Sequence, residues 1–200
     1  MDQRRFLNFI NFSERLKNNT RHSWTSNGRH ESVAEHSWRL MLMAYLVRDE
    51  YPDADIQKVM LMCLFHDIGE AVTGDIPAFE KDHSEEDQEA KAVQMIVDGL
   101  PEPYDSELEA LFAEMDAMET LEAKIFKALD KMEAIVQHNQ ADLATWQPNE
   151  YAYNLIYGEE EVQFSPWMIG FKQLLMEDAR AKVESGKAAG MSDSSAEIAD

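Results

Sequence analysis

The chain has 200 residues, 44% of them hydrophobic and 10% aromatic, with 39 acidic against 18 basic side chains and a formal net charge of −21. That length and apolar content suffice for one domain with a real core and exclude global disorder, while the charge argues against nucleic acid polymers and anionic membranes as partners. The single cysteine, Cys63, excludes an intramolecular disulfide and cysteine-rich zinc knots.

The start, MDQRRFLNFINF, lacks the long apolar run and small-residue cleavage site of a secretory signal, and no apolar run approaches membrane-spanning length. A soluble, cytoplasmic protein is the expectation. Residues 3–17 set Phe6, Phe9, Ile10 and Leu16 at helical spacings, and Asn18-Asn19-Thr20 stops the run. Residues 18–31 read as a polar loop. Ser32 with Glu35 forms a candidate capping box for a helix reaching about Glu50, before Pro52. A third helix covers about 54–67, apolar on nearly every side through VMLMCLF, as befits a central helix. Residues 68–82 are punctuated by Gly69, Gly74 and Pro77 and read as irregular.

Helices follow at about 84–99, with Ser84 and Asp87 as the start signal, and at 106–117, with Ser106 and Glu109. Residues 119–139 line Leu121, Ile125, Ala128, Met132 and Ile135 along one face, and a last amphipathic helix spans about 166–183. The small, polar residues 185–200 read as a disordered tail. There is no internal repeat and no β-alternation of useful length. The expectation is one all-α domain over residues 1–184.

His66-Asp67, at the end of the most apolar helix, is the strongest chemical signal. Alone, it also reads as a helix-end histidine favoured by the dipole, with its neighbour facing water. His36 lies on the side of Leu40 and Met43, and Asp130 on the strip of Ala123, Phe126 and Ala134. A carboxylate on an apolar strip is costly unless a metal or strong donor meets it. Helical spacing permits the four side chains to converge from neighbouring helices without proving it. Two imidazoles and two carboxylates suit one divalent ion, Mn, Co, Zn, Fe or Mg, more than calcium. Such an ion makes water a nucleophile at neutral pH.

Glu70 lies three positions beyond Asp67, within reach of that water. Thr73-Gly74-Asp75 forms a polar turn able to hold substrate hydroxyls or relay a proton. Arg21, with Lys17 and Arg29 nearby, offers a grip on phosphate. His22 and Trp24 share its loop and could stack or bind. Cys63 is a small buried hydrophobe, and the many methionines are core filler.

SVAEHSWR, LFHDIGEAVTGDIP and KALDK, in that order, resemble the HD-domain superfamily of metal-dependent phosphohydrolases, in particular its 5′-deoxynucleotidase branch. The likeness runs from about residue 5 to 140. It implies an HD-type helical bundle whose metal is held by His36, His66, Asp67 and Asp130. It also implies that Glu70 acts on the nucleophilic water with Asp67 beside it, that Asp75 assists at the sugar, and that Arg21, after ERLK, contacts the phosphate. The branch has a tryptophan directly after that arginine, where this chain has His22 with Trp24 two further on, which leaves the sugar preference open. The implied reaction is hydrolysis of (deoxy)nucleoside 5′-monophosphates by a homodimer, with a small nucleotide as substrate. Hydrolysis of cyclic nucleotides or nucleoside triphosphates, and nucleotide binding without turnover, are the alternatives.

Overall fold

The structure, a computed structural model, describes residues 1–77 and 83–188. Its elements run α1 (Gln3–Ser13), α2 (Arg15–Asn18), β1 (Thr20–Trp24), β2 (His30–Ser32), α3 (Val33–Leu46), α4 (Ile56–Phe65), α5 (Glu70–Thr73), α6 (His83–Asp98), α7 (Tyr104–Ala117), α8 (Leu121–Gln140), α9 (Glu150–Ile156) and α10 (Pro166–Ala188). Short 3-10 turns at Arg48–Glu50 and Leu143–Thr145 follow α3 and α8. The all-α expectation holds, with one addition. The segment expected to be a polar loop forms a two-stranded hairpin, β1 against β2. Asn27-Gly28 turns it, Gly28 taking the positive φ that this dipeptide favours.

The chain gathers into two units, Met1–His22 with His30–Asp130, and Ser23–Arg29 with the chain from Lys131. In the first, α3 and α4 pack together and bury Leu40, Ala44, Val59, Met62 and Cys63. A second cluster joins Leu16, Val33, Ile68, Ala71 and Ile96, with Phe9, Phe12 and Phe112 against it. In the second unit Leu143, Trp146 and Ala179 form a core with Tyr151, Leu155 and Val183. There Lys172, 3% exposed, donates to the carbonyls of Leu155 and Tyr157 and so satisfies the end of α9. No helix among the described residues is long and apolar enough to cross a membrane.

Local signals explain several boundaries. The Ser32 hydroxyl accepts from the Glu35 amide while the Glu35 carboxylate accepts from the Ser32 amide, a complete capping box that starts α3. Asp55 caps α4. Two expected caps differ. Ser84 lies inside α6, its hydroxyl accepting from Gln88. Ser106 lies inside α7, which starts at Tyr104, and its hydroxyl donates to Glu102 and to the Pro103 carbonyl. Pro103 at the cap position has no side chain able to cap, so the start signal falls two residues late. Of the expected tail, residues 185–188 continue α10 as helix, and residues 189–200 lie outside those described.

Candidate metal centre

Four side chains of the first unit converge. The capping box starts α3 so that His36 falls in its second turn, facing inward and fully buried. His66 ends α4, its amide bonded to the Met62 carbonyl. From there the chain continues in i to i+3 turns, Ile68 to Phe65 and Glu70 to Asp67. In such turns side chains three apart stack on one side, so Asp67 and Glu70 face the same way. Asp130 comes from α8.

The donor atoms are close. His36 Nε2 lies 3.2 Å from Asp130 Oδ1 and 3.9 Å from Asp67 Oδ2. His66 Nε2 lies 3.0 Å from Asp67 Oδ2 and 3.8 Å from Asp130 Oδ1. Donor atoms ~2.1 Å from a shared ion stand roughly 3.0–3.4 Å apart in octahedral or tetrahedral arrangements, so this set needs little adjustment to hold one.

The hydrogen bonding tests that fit. His66 Nδ1 lies 3.0 Å from the Cys63 carbonyl, which can only accept, so the proton sits on Nδ1 and the Nε2 lone pair points into the centre. It meets the carboxylate oxygen of Asp67, also an acceptor. Both atoms are buried and neither has a hydrogen-bond partner. With the imidazole neutral these are facing acceptors that only a cation between them reconciles; with it protonated they form the ion pair that lowers Asp67. In either state, two imidazoles and two carboxylates at these distances fit a divalent ion.

Charge reinforces this. Burial works to raise the Asp67 carboxyl, yet His66, His36 and Arg21 together hold it below the usual carboxylate range. Burial likewise opposes ionisation of Asp130, which Lys127 at 3.2 Å and the two histidines hold well below the usual value. Glu70 is the opposite case. Burial, then the charges of Asp67 and Asp75, push it up to about 10, and its Oε2 is buried without a hydrogen-bond partner. Asp75 is raised too, by burial first, with Arg21 and His22 pulling the other way. A second acid cluster, Asp67, Glu70 and Glu89, adjoins the first group.

Arg21, on β1, reaches the same place, with Nη1 3.6 Å from Asp67 Oδ2. Two links hold this strand start. The Asn19 amide group donates to the Glu70 carbonyl, and the Val33 amide donates to the Asn19 carbonyl. His22 is half-buried beside Arg21 in sequence, its charge felt at Asp75. Thr73 turns its hydroxyl onto the Gly74 carbonyl and lines a cavity of about 460 Å³ with Val72, Ile76, Glu89, Ala92 and Met95. Trp24 belongs to the second unit, where its carbonyl accepts from Gln137. Cys63 is fully buried with its thiol pushed up by desolvation, in keeping with a packing role.

Sequence reading missed Glu31 and Arg39. Glu31 is 1% exposed and meets both Arg21 and Arg39. The Asn27-Gly28 turn was the signal that would have placed Glu31 in a strand opposite Arg21.

Comparison with known proteins points the same way. A model of the HD domain family matches residues 13–168. The 5'-deoxynucleotidase HDDC2 of Homo sapiens is 32% identical over 141 residues, covering 68% of this chain and 68% of that protein. The 5'-deoxynucleotidase hdd1 of Schizosaccharomyces pombe is 32% identical over 138 residues, covering 64% of this chain and 68% of its own length. A crystal structure of a predicted metal-dependent phosphohydrolase from Magnetospirillum magnetotacticum MS-1 superposes with a TM-score of 0.71 at 28% identity, covering 93% of each chain.

Proposed function

The chain belongs to the HD-domain family, and from that premise we propose that it is a divalent-metal-dependent phosphomonoesterase acting on deoxynucleoside or nucleoside 5′-monophosphates. The observation that carries this reading is the buried, unbridged approach of His66 Nε2 to Asp67 Oδ2, with His36 and Asp130 completing the set. The names of the curated relatives support the substrate class.

His36, His66, Asp67 and Asp130 would hold the ion. When bound, the ion supplies a Lewis acid for the phosphoryl oxygens, lowers the pKa of a water, and offsets the Asp67 charge that now raises Glu70. Arg21 binds the phosphate, its guanidinium directed at the centre beside Asp67. Glu70, on the same side of the turn as Asp67, orients the attacking water and accepts its proton at the unpartnered Oε2. Asp75, whose carboxyl is biased toward the protonated form, orients the sugar and returns a proton to the leaving 5′-oxygen. His22, which follows Arg21 on β1, is the position to vary for sugar preference. Thr73 donates its hydroxyl proton to the Gly74 carbonyl and keeps acceptor capacity for a substrate hydroxyl.

The reading includes a homodimer. Trp38, Leu42, Tyr45 and Leu46, spaced along one face of α3, are the exposed apolar surface that supports it.

A product assay tests the reaction. The chelator-treated protein, reloaded with Mn, Co, Zn or Mg, is given paired deoxy- and ribonucleoside 5′-monophosphates, a cyclic nucleotide and a deoxynucleoside triphosphate. Free phosphate and nucleoside from the monophosphates is the expected result. Turnover of the cyclic or triphosphate substrate alone, or no turnover with any metal, overturns it.

A further inference from the structure

Glu31 stands in the middle of β2 with its side chain 1% exposed, and a buried carboxylate is costly unless it is paired. Two guanidinium groups are among its partners, and a ring nitrogen of His36 lies within 4.8 Å of its carboxylate. Oε1 lies 2.9 Å from Arg39 Nη2, and Oε2 lies 3.5 Å from Arg21 Nε. At its other end Arg21 presents Nη1 to Asp67 Oδ2 at 3.6 Å. Arg21 therefore has a buried acid in ion-pair range of its back edge, while its Nη1 faces the candidate metal centre.

An acid beside the cation meant to hold an anion is, by charge alone, a disadvantage. Arg39 offsets it. It lies three residues beyond His36 on α3, so one helix supplies both a candidate metal ligand and the charge that neutralises Glu31. We propose that Glu31 is a positioning residue. Backed by Arg39, it fixes the Arg21 guanidinium at the angle needed for a phosphate group without cancelling its charge. This role rests on the phosphomonoesterase reading for the identity of the anion, and on geometry alone for the coupling of the three side chains.

Charge and positioning predict opposite signs. Glu31→Gln removes a negative charge next to Arg21, so charge alone makes anion binding tighter. Positioning makes it weaker, because the amide is a poorer anchor for Nε and frees the guanidinium to turn. The measurement is calorimetric titration of inorganic phosphate into the full chain loaded with Mn, comparing wild type, Glu31→Gln, Arg39→Met and Arg39→Lys. The expected result is about tenfold weaker phosphate binding in Glu31→Gln, the low end of the coupling of a close charge pair, with Mn content unchanged. For a monophosphate substrate, KM rises by a similar factor while kcat changes less.

Arg39→Met weakens phosphate binding as well, since Glu31 then neutralises Arg21, and Arg39→Lys restores most of it. If Glu31→Gln does not fold, the two Arg39 variants decide the matter, that side chain being partly exposed. Phosphate binding unchanged or tighter in Glu31→Gln, or in Arg39→Met, overturns the role. A wild type that binds phosphate but hydrolyses no monoester defeats the phosphomonoesterase reading, and weaker binding in the variants still supports Glu31. A wild type that hydrolyses monoesters, with variants that bind phosphate normally, defeats the Glu31 role alone.

Discussion

Replacing Gly69 by alanine adds one methyl group between the paired residues His66-Asp67 and Glu70. The backbone there is right-handed helical, φ −59 and ψ −32, so alanine meets no conformational penalty and gains about 0.5–1 kcal/mol over glycine. Space decides against it. The added carbon would stand 3.0 Å from Glu89 Cγ, 3.0 Å from Val93 Cγ2 and 3.2 Å from the Glu89 carbonyl oxygen. Glu89 Cγ can rotate, but Val93 is β-branched and stiff, and the carbonyl belongs to the α6 backbone. Overpacking of this kind costs about 1–3 kcal/mol, and against stiff Val93 and a backbone carbonyl the middle and upper part of that range applies, so the net loss is about 1–2 kcal/mol. For a chain of this size, that lowers Tm by roughly 2–8 °C. Relief comes by moving α5 from α6, which shifts Glu70, the next residue. Relieving contacts of 3.0–3.2 Å takes a shift short of the ~1 Å that costs about 10²-fold in turnover, so kcat falls by a smaller factor, but by more than stability accounts for. Differential scanning calorimetry and steady-state phosphate release measure the two effects. A Tm equal to or above wild type would refute the close-packing argument.

Arg21→Ala raises KM for a nucleoside monophosphate about 10- to 100-fold, the value of a charged hydrogen bond, as initial rates at saturating Mn would reveal. Unchanged KM removes Arg21 from the phosphate. Glu70→Gln lowers kcat by about 10²–10⁴ with bound metal unchanged, checked by rates alongside elemental analysis. In metal-free protein, Glu70 keeps in the folded state a proton that the unfolded chain sheds above about 4.5. Native protein thus binds more protons than unfolded between about pH 5 and 10, and stability falls as pH rises through that window, by at most ~1.4 kcal/mol per unit. Urea melts at pH 6 and 8.5 should show a steeper fall for wild type than for Glu70→Gln, and equal slopes contradict it.

The parts of the fold visible in the sequence are those set by local chemistry. Ser32 and Glu35 announce α3 because a capping box is complete within four residues, and the apolar run through Cys63 announces α4, although its burial is one-sided rather than all-round: Val59, Met62 and Cys63 are buried while Leu61 and Leu64 are exposed. His66 and Asp67 stand out because they are polar at the end of that run. What local pattern does not carry is convergence. Asp130 lies 94 residues from His36, and their 3.2 Å approach depends on how α3, α4 and α8 pack. The caps at Ser84 and Ser106 failed because serine hydroxyls also bond within helices, as both do here. The hairpin was hidden by short, polar strands with no alternation long enough to register. With it went Glu31, whose importance comes from two arginines, one across the hairpin and one on the following helix.

The account depends first on an ion held by His36, His66, Asp67 and Asp130. Calorimetric titration of Mn into chelator-treated protein tests that most directly, with His66→Ala and Asp130→Asn as comparisons. One equivalent per chain in wild type, with binding lost or weakened by orders of magnitude in both variants, is the predicted result. Wild-type affinity retained in both variants would contradict the account.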